Sequence, residues 1–378
     1  MTKLRIGLLS LRFRLSSVSS GLICPLLCLV AFTVPFAARP LAAQEVTGTF
    51  HNPLLSAGPD PWVIAANGFY YYMNTTGRDL TIRRTRDIAD LAHGTLRTVW
   101  TPPEIGPYSK DIWAPELHRL QGKWYIYFAA DDGHNETHRI YVLENPAADP
   151  LDGTWTFRGK VSDSSDHWAI DASVFESRGK AYMVWSGWEG TTDGEQRIYI
   201  ARLKNPWTID SKRTAISIAT YPWERVGDLL DRPSVPHVEV NEGPEILQHG
   251  EDIFLVYSGS ACWTDYYALG VVHATAGSNL LKPFSWKKFD HPFFQQDREH
   301  SVFGPGHNGF FQSPDGKEDW IIYHANEAPG QGCGNHRSPR MQKFHWNPDG
   351  TPDFGRPEAT STELAKPSGT FTTSSQSK

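Results

Sequence analysis

Five short strands dense in aromatic and β-branched residues recur along this 378-residue chain, and that repeat constrains the fold more than any other feature. They read Phe69-Tyr70-Tyr71-Tyr72, Trp124-Tyr125-Ile126-Tyr127-Phe128, Ala181-Tyr182-Met183-Val184-Trp185, Ile253-Phe254-Leu255-Val256-Tyr257 and Trp320-Ile321-Ile322-Tyr323, spaced roughly 54 to 71 residues apart. Each follows an apolar strand and a turn that usually carries glycine, so the repeating unit is a hairpin. Strong helical runs are absent. Five such units predict an all-β chain folded as a five-bladed β-propeller, with four-stranded blades around a channel. A β-sandwich would not repeat one hairpin five times.

The strand before each turn carries the chemistry. Counting back eight positions from Gly68, Gly122, Gly179 and Gly250 reaches Asp60, Ala114, Asp171 and Glu242; the longer fifth turn puts the corresponding residue near His307. The innermost strands of a propeller start around its channel, so three carboxylates and a histidine should ring one pocket. Like charges in a partly dry pocket cannot all stay ionised, so one remains a base while another is held as an acid. Acetal cleavage needs that division, because the leaving oxygen needs a proton and the attacking water needs a base. No Gly-x-Ser-x-Gly elbow, Walker loop or His-Glu-x-x-His is present. Gly304-Pro305-Gly306-His307-Asn308-Gly309 matches the dinucleotide glycine spacing, but Phe310-Phe311-Gln312-Ser313-Pro314 and a turn follow it instead of a helix. Those glycines are expected to let His307 approach the channel closely.

The ends differ from the repeat. Residues 1–43 hold five basic and no acidic side chains, an apolar run from Gly21 to Ala38 and a small-residue exit at Ala42-Ala43, which reads as a secretory signal. The remaining residues keep 31 of the 36 basic side chains and all 42 acidic ones, which argues against a nucleic-acid partner. No other stretch is apolar enough for a membrane helix. The expected domain is therefore 44–365, soluble and monomeric, with a Ser/Thr/Gly-rich disordered tail over 366–378. Thr47-Gly48-Thr49-Phe50 is a candidate closing strand for the last blade. Cys262 and Cys333 remain after the signal and are able to pair in an oxidising compartment. Asn74 and Asn135 begin glycosylation sequons. The 47 aromatic rings suit either a β core or sugar-stacking surfaces.

In Gly58-Pro59-Asp60-Pro61, Ile112-Trp113-Ala114-Pro115-Glu116, Ala169-Ile170-Asp171-Ala172, Glu242-Gly243-Pro244 and Trp346-Asn347-Pro348-Asp349-Gly350, the chain resembles glycoside hydrolase family 43, over roughly Thr49 to Pro357. The resemblance implies an inverting glycosidase of plant cell-wall polysaccharide (arabinan or arabinoxylan), with Asp60 as general base, Glu242 as general acid and Asp171 as the residue that tunes and orients the acid. It also implies that Trp113 walls the sugar pocket and that an arginine reaches the substrate, with Arg340 the choice and Arg337 the alternative. His307 matches a histidine at the channel, where a water or a calcium ion sits in some members; no cofactor is otherwise expected, and His307 would be the metal ligand. Tyr108-Ser109-Lys110-Asp111-Ile112-Trp113 and Ser186-Gly187-Trp188-Glu189-Gly190 look most like the arabinan-directed branch. The expectation is a secreted, extracellular exo α-L-arabinofuranosidase. β-Xylosidase and endo-arabinanase are the alternatives, and a carbohydrate-binding propeller without catalysis is the remote one.

Overall fold

The aromatic strands are apolar at nearly every position because both of their faces are buried. Tyr71 and Met73 pack forward with Trp124, Ile126 and Phe128, whereas Tyr70 and Tyr72 pack backward with Trp320, Ile322 and Met341. The same split recurs along the chain. Tyr125 and Tyr127 meet Met183 and Trp185, Tyr182 and Val184 meet Ile253, Leu255 and Tyr257, and Phe254 and Val256 meet Ile321 and Tyr323. A strand that alternates its side chains between two neighbours reads as a continuous apolar run instead of an apolar–polar alternation. Most of the aromatic surplus is therefore core, and each unit is cemented to the next, the fifth to the first.

The computed structural model describes residues 48–191, 195–226 and 239–370. Within them the chain is all-β, with helix confined to four short 3-10 segments. The strands run as five antiparallel meanders. Their first strands are Trp62–Ala66, Lys110–Leu120, Ala169–Ser177, Glu239–His249 and Phe303–Gln312; their second strands are Phe69–Met73, Lys123–Asp131, Lys180–Trp188, Asp252–Gly259 and Asp319–Asn326. Third strands follow at Leu80–Thr85, Arg139–Asn145, Glu195–Asn205, Ala268–Thr275 and Ser338–Trp346, with outer strands beyond them. A short parallel pairing, Glu195 with Glu239 and Gln196 with Val240, joins the third and fourth meanders into one sheet.

The chain ends meet differently from the expectation. Thr49–Phe50 pairs with Leu364–Ala365 in a separate two-stranded ladder, not with the fifth meander; Thr47 lies outside the described residues. The fifth meander is reached by Asn52, whose side chain exchanges two 2.9 Å hydrogen bonds with the backbone of Met341. Residues 366–370, assigned to the tail from composition, are fastened to the domain: the Lys366 N–H donates to Gly48 O at 2.9 Å, Ser368 N–H donates to Glu318 at 2.9 Å, and Thr370 is buried. Hydrogen bonds from Lys366 and Ser368 hold the segment where a hydrophobic pattern is missing. The signal segment and residues 371–378 lie outside the described residues.

Candidate active site

In or just before each first strand one left-handed residue stands at an equivalent place: Asp60 (φ 56°), Ala114 (φ 42°), Asp171 (φ 56°), Gly243 (φ 53°) and His307 (φ 48°). The ladder register skips at these points in the four later units. Bulges of this kind re-aim a side chain, and four non-glycine residues held there mark a strained, over-determined ring. The register corrects the sequence count in one unit. The residue two beyond the bend pairs with the second strand every time (Trp62 with Met73, Glu116 with Tyr127, Ser173 with Val184, Glu245 with Val256, Gly309 with Ile322), so Gly243, not Glu242, is equivalent to Asp60 and Asp171. The first three turns have two left-handed residues with glycine second (Asn67-Gly68, Gln121-Gly122, Arg178-Gly179), whereas the fourth is Gly250-Glu251 with glycine first. Those are the glycine positions of type I′ and II′ hairpin turns, and counting from glycine slips by one between them. Glu242 thus shares its level with Trp113 and Ile170, one residue ahead of the ring.

Asp60 is buried among cations and donors. Its carboxylate accepts from the Arg337 guanidinium at 2.7 Å and lies 3.4 Å from His307 Nδ1. Its own N–H donates to His324 Nδ1 at 3.0 Å, so that nitrogen is an acceptor and the neutral ring carries its hydrogen on Nε2. Thr75, whose hydroxyl accepts from the Ala114 N–H at 2.7 Å, also faces the carboxylate. Burial alone would raise the Asp60 pKa, but Arg337, His307 and Thr75 together hold it well below the usual carboxylate range.

Glu242 and Asp171 have the opposite surroundings. Burial pushes Glu242 up to about 7, with the Asp60 charge adding to it, while the Tyr267 hydroxyl and Arg337 draw it back. Asp171 also rises to about 7, through burial and the charges of Glu242 and Asp60, against the pull of His307 and of the Gly243 N–H, which donates to it at 2.9 Å. Glu242 keeps part of its surface open, whereas Asp171 is buried. One site therefore holds a carboxylate that stays ionised and two carboxyls that hold protons to near neutrality.

The remaining predicted residues divide. His307 is in the ring, its N–H donating to Ser258 Oγ at 2.8 Å. Trp113 stacks on His138 at 4.0 Å and packs with Ile170, Trp168 and Trp188. Of the two arginines the structure brings Arg337 to Asp60; Arg340 is fully buried in the fifth meander, its nearest acid Glu327 at 3.9 Å. Arg337 immediately precedes the strand Ser338–Trp346, whereas Arg340 lies within it. Of the glycines around His307, Gly306 serves a neighbour: a side chain there would meet the Tyr267 ring at 2.3 Å, so Gly306 makes room for the ring beside Glu242. Tyr267, His324 and Thr75 escaped the sequence reading because each lies outside the repeat position that was counted. Cys262 and Cys333 form a disulfide, Cα–Cα 5.2 Å, tying the segment before Tyr267 to the segment before Arg337. No cluster of three or more His, Cys, Asp or Glu among the described residues is disposed to hold a metal ion. The His307 imidazole turns to Asp60 without the several oxygen donors Ca²⁺ takes, so these residues do not fit calcium.

With a three-carboxyl site at the starts of repeated β-meanders, the class is that of a glycosidase. Residues 50–352 match Glycosyl hydrolases family 43, and the chain belongs to that family. It is 37% identical over 342 residues to an extracellular exo-alpha-(1->5)-L-arabinofuranosidase of Streptomyces avermitilis, covering 88% of this chain and 69% of that one. It is 36% identical to alpha-L-arabinofuranosidase 43 of Humicola insolens, covering 86% of this chain and 67% of the other. The crystal structure of an alpha-L-arabinofuranosidase from Lactobacillus brevis superposes with a TM-score of 0.76 at 35% identity, over 83% of this chain and 98% of its own.

Proposed function

We propose that the chain is a secreted, exo-acting α-L-arabinofuranosidase that releases L-arabinose from arabinan or arabino-oligosaccharides with inversion. The observation that carries this reading is the opposed surroundings of Asp60 and Glu242 in one pocket. The arabinofuranosidase names of the relatives support the sugar, and their description as extracellular supports secretion. The basic, apolar start of the chain adds to the latter. No helix among the described residues is long and apolar enough to cross a membrane. The five meanders, packed each to the next and the fifth to the first, are read as five blades of a propeller around this pocket.

Asp60, ionised and oriented by Arg337 and by its own N–H to His324, takes a proton from water as the water oxygen attacks the anomeric carbon. Glu242, at the more open level, gives its proton to the glycosidic oxygen as the carbon–oxygen bond breaks. Asp171, fixed by the Gly243 N–H, stands beside Glu242, and because burial and mutual repulsion oppose two charges there, the pair does not ionise together and a proton on Glu242 is favoured. Trp113, level with Glu242, walls the sugar, and Arg337 reaches it from the side of the base.

A product time course from linear α-1,5-arabinan, with xylo-oligosaccharides in parallel and Asp60→Asn as control, tests the proposal. Arabinose as sole early product is expected. Longer early products would make the enzyme endo-acting, xylose alone would make it a xylosidase, and sugar binding without product would overturn catalysis.

A further inference from the structure

Two residues beyond the bends, the first strands bring together a second set of carboxyls that hydrolysis does not use. Glu116, Ser173 and Glu245 come from the second, third and fourth meanders, and all are buried, at 7%, 1% and 7% exposure. Ser173 Oγ donates to Glu245 Oε2 at 3.0 Å, and Glu116 Oε2 lies 2.8 Å from His118 Nε2. Ser173 also faces Glu116, so its hydroxyl sits between two carboxyls. The strands of Asp171 and Glu242 are thereby clamped by two rungs, Gly243 N–H to Asp171 above and Ser173 to Glu245 below.

No Lys or Arg among the described residues pairs with either glutamate; the ion-pair partner present is His118, which burial holds neutral by lowering its pKa to about 3. Two negative charges without a cation in a dry cluster are too costly to coexist, so the pair retains a proton. Burial, the facing carboxyl and Asp171 raise Glu116, and burial raises Glu245 against the Ser173 and Ile246 donors.

We propose that Glu116 and Glu245, bridged by Ser173, are positioning residues for the catalytic carboxyls, holding one shared proton and one negative charge beneath Asp171 and thereby keeping Glu242 protonated at working pH. The inference rests on the glycosidase reading of Glu242 as the acid. The groups facing the tier are His118, Ser173 and Asp171; those facing Asp171 and Glu242 above it are His307, Asp60, Arg337 and Tyr267.

The test is the double variant Glu116→Gln/Glu245→Gln, which keeps shape and the acceptor for Ser173 but removes the charge. Without that charge Asp171 and Glu242 ionise more easily. The alkaline limb of kcat/KM on arabinobiose should move down by about half to one pH unit, with KM unchanged and a nitrophenyl arabinofuranoside less affected. A folded variant whose alkaline limb coincides with the wild type overturns the proposal. Should the double variant fail to fold, Asp171→Asn/Glu242→Gln carries the test with the lower tier intact. An infrared stretch of a protonated carboxyl persisting at pH 7 supports the shared proton, and its absence overturns it. A wild type inactive on every arabinofuranoside would overturn the proposed function instead, and the infrared arm would still decide whether the tier holds its proton.

Discussion

Asp60 and Glu242 are carboxyls of one pocket, yet their surroundings drive them apart. Asp60 is set against Arg337, the His307 imidazole and a hydroxyl, and these overcome the penalty of burial. Glu242 has the same penalty with only a phenol and a more distant guanidinium against it, and the Asp60 charge works the other way. The difference lies in where the neighbours come from: Arg337 and His324 reach Asp60 from the fifth meander, whereas Tyr267 beside Glu242 comes from the loop after the second strand of Glu242's own meander. Base and acid are thus assigned by what the fold brings up to them.

The largest expected effect breaks the comparison at the base. Asp60→Asn should lower kcat by about 10³–10⁴-fold on natural and activated substrates alike, measured against a circular-dichroism check of folding. Glu242→Gln should cost about 10²–10³-fold on arabinobiose but far less on a nitrophenyl arabinofuranoside, whose leaving group needs little protonation. Equal losses on both would remove Glu242 from the acid's role.

The pH profile sharpens the comparison. Glu242 must be protonated, so wild-type activity should fall as pH rises through about 7; Asp60 must be ionised, so the acid limb should lie far lower. Arg337→Met removes a cation that favours ionised Asp60. The Asp60 pKa then rises and the acid limb should move up by about 1–3 units, while the alkaline limb shifts less. Tyr267→Phe removes a hydroxyl that favours ionised Glu242, so the alkaline limb alone should move up, by less than about one unit. Cys262→Ser/Cys333→Ser should change kcat least, yet lower stability by about 2–4 kcal/mol in a denaturant titration, because the cross-link closes a long loop.

Much of this was legible in the chain. The aromatic strands announced the meanders because strands buried on both faces must be apolar throughout, and Asp60, Asp171 and His307 stood out by their place in the repeat. Glu242 was reached by a count that the fourth turn shifts by one residue; glycine occupies the first turn position there and the second elsewhere. The choice of Arg340 over Arg337 failed because their closeness in the chain does not say which side chain faces which neighbour. The fastening of residues 366–370 depends on Glu318 and Asp87, far away in the chain, and composition carries no trace of it.

The sequence by itself determined the all-β repeat, the family and the carboxyl types at the strand starts, since periodicity and turn chemistry are local properties. Only the tertiary structure decided which carboxyl ionises, which arginine pairs with Asp60, that Cys262 joins Cys333, and that Glu116 and Glu245 lie together beneath Asp171. Those outcomes depend on distances of a few ångströms between residues tens to hundreds of positions apart, where burial and Coulomb forces set the chemistry.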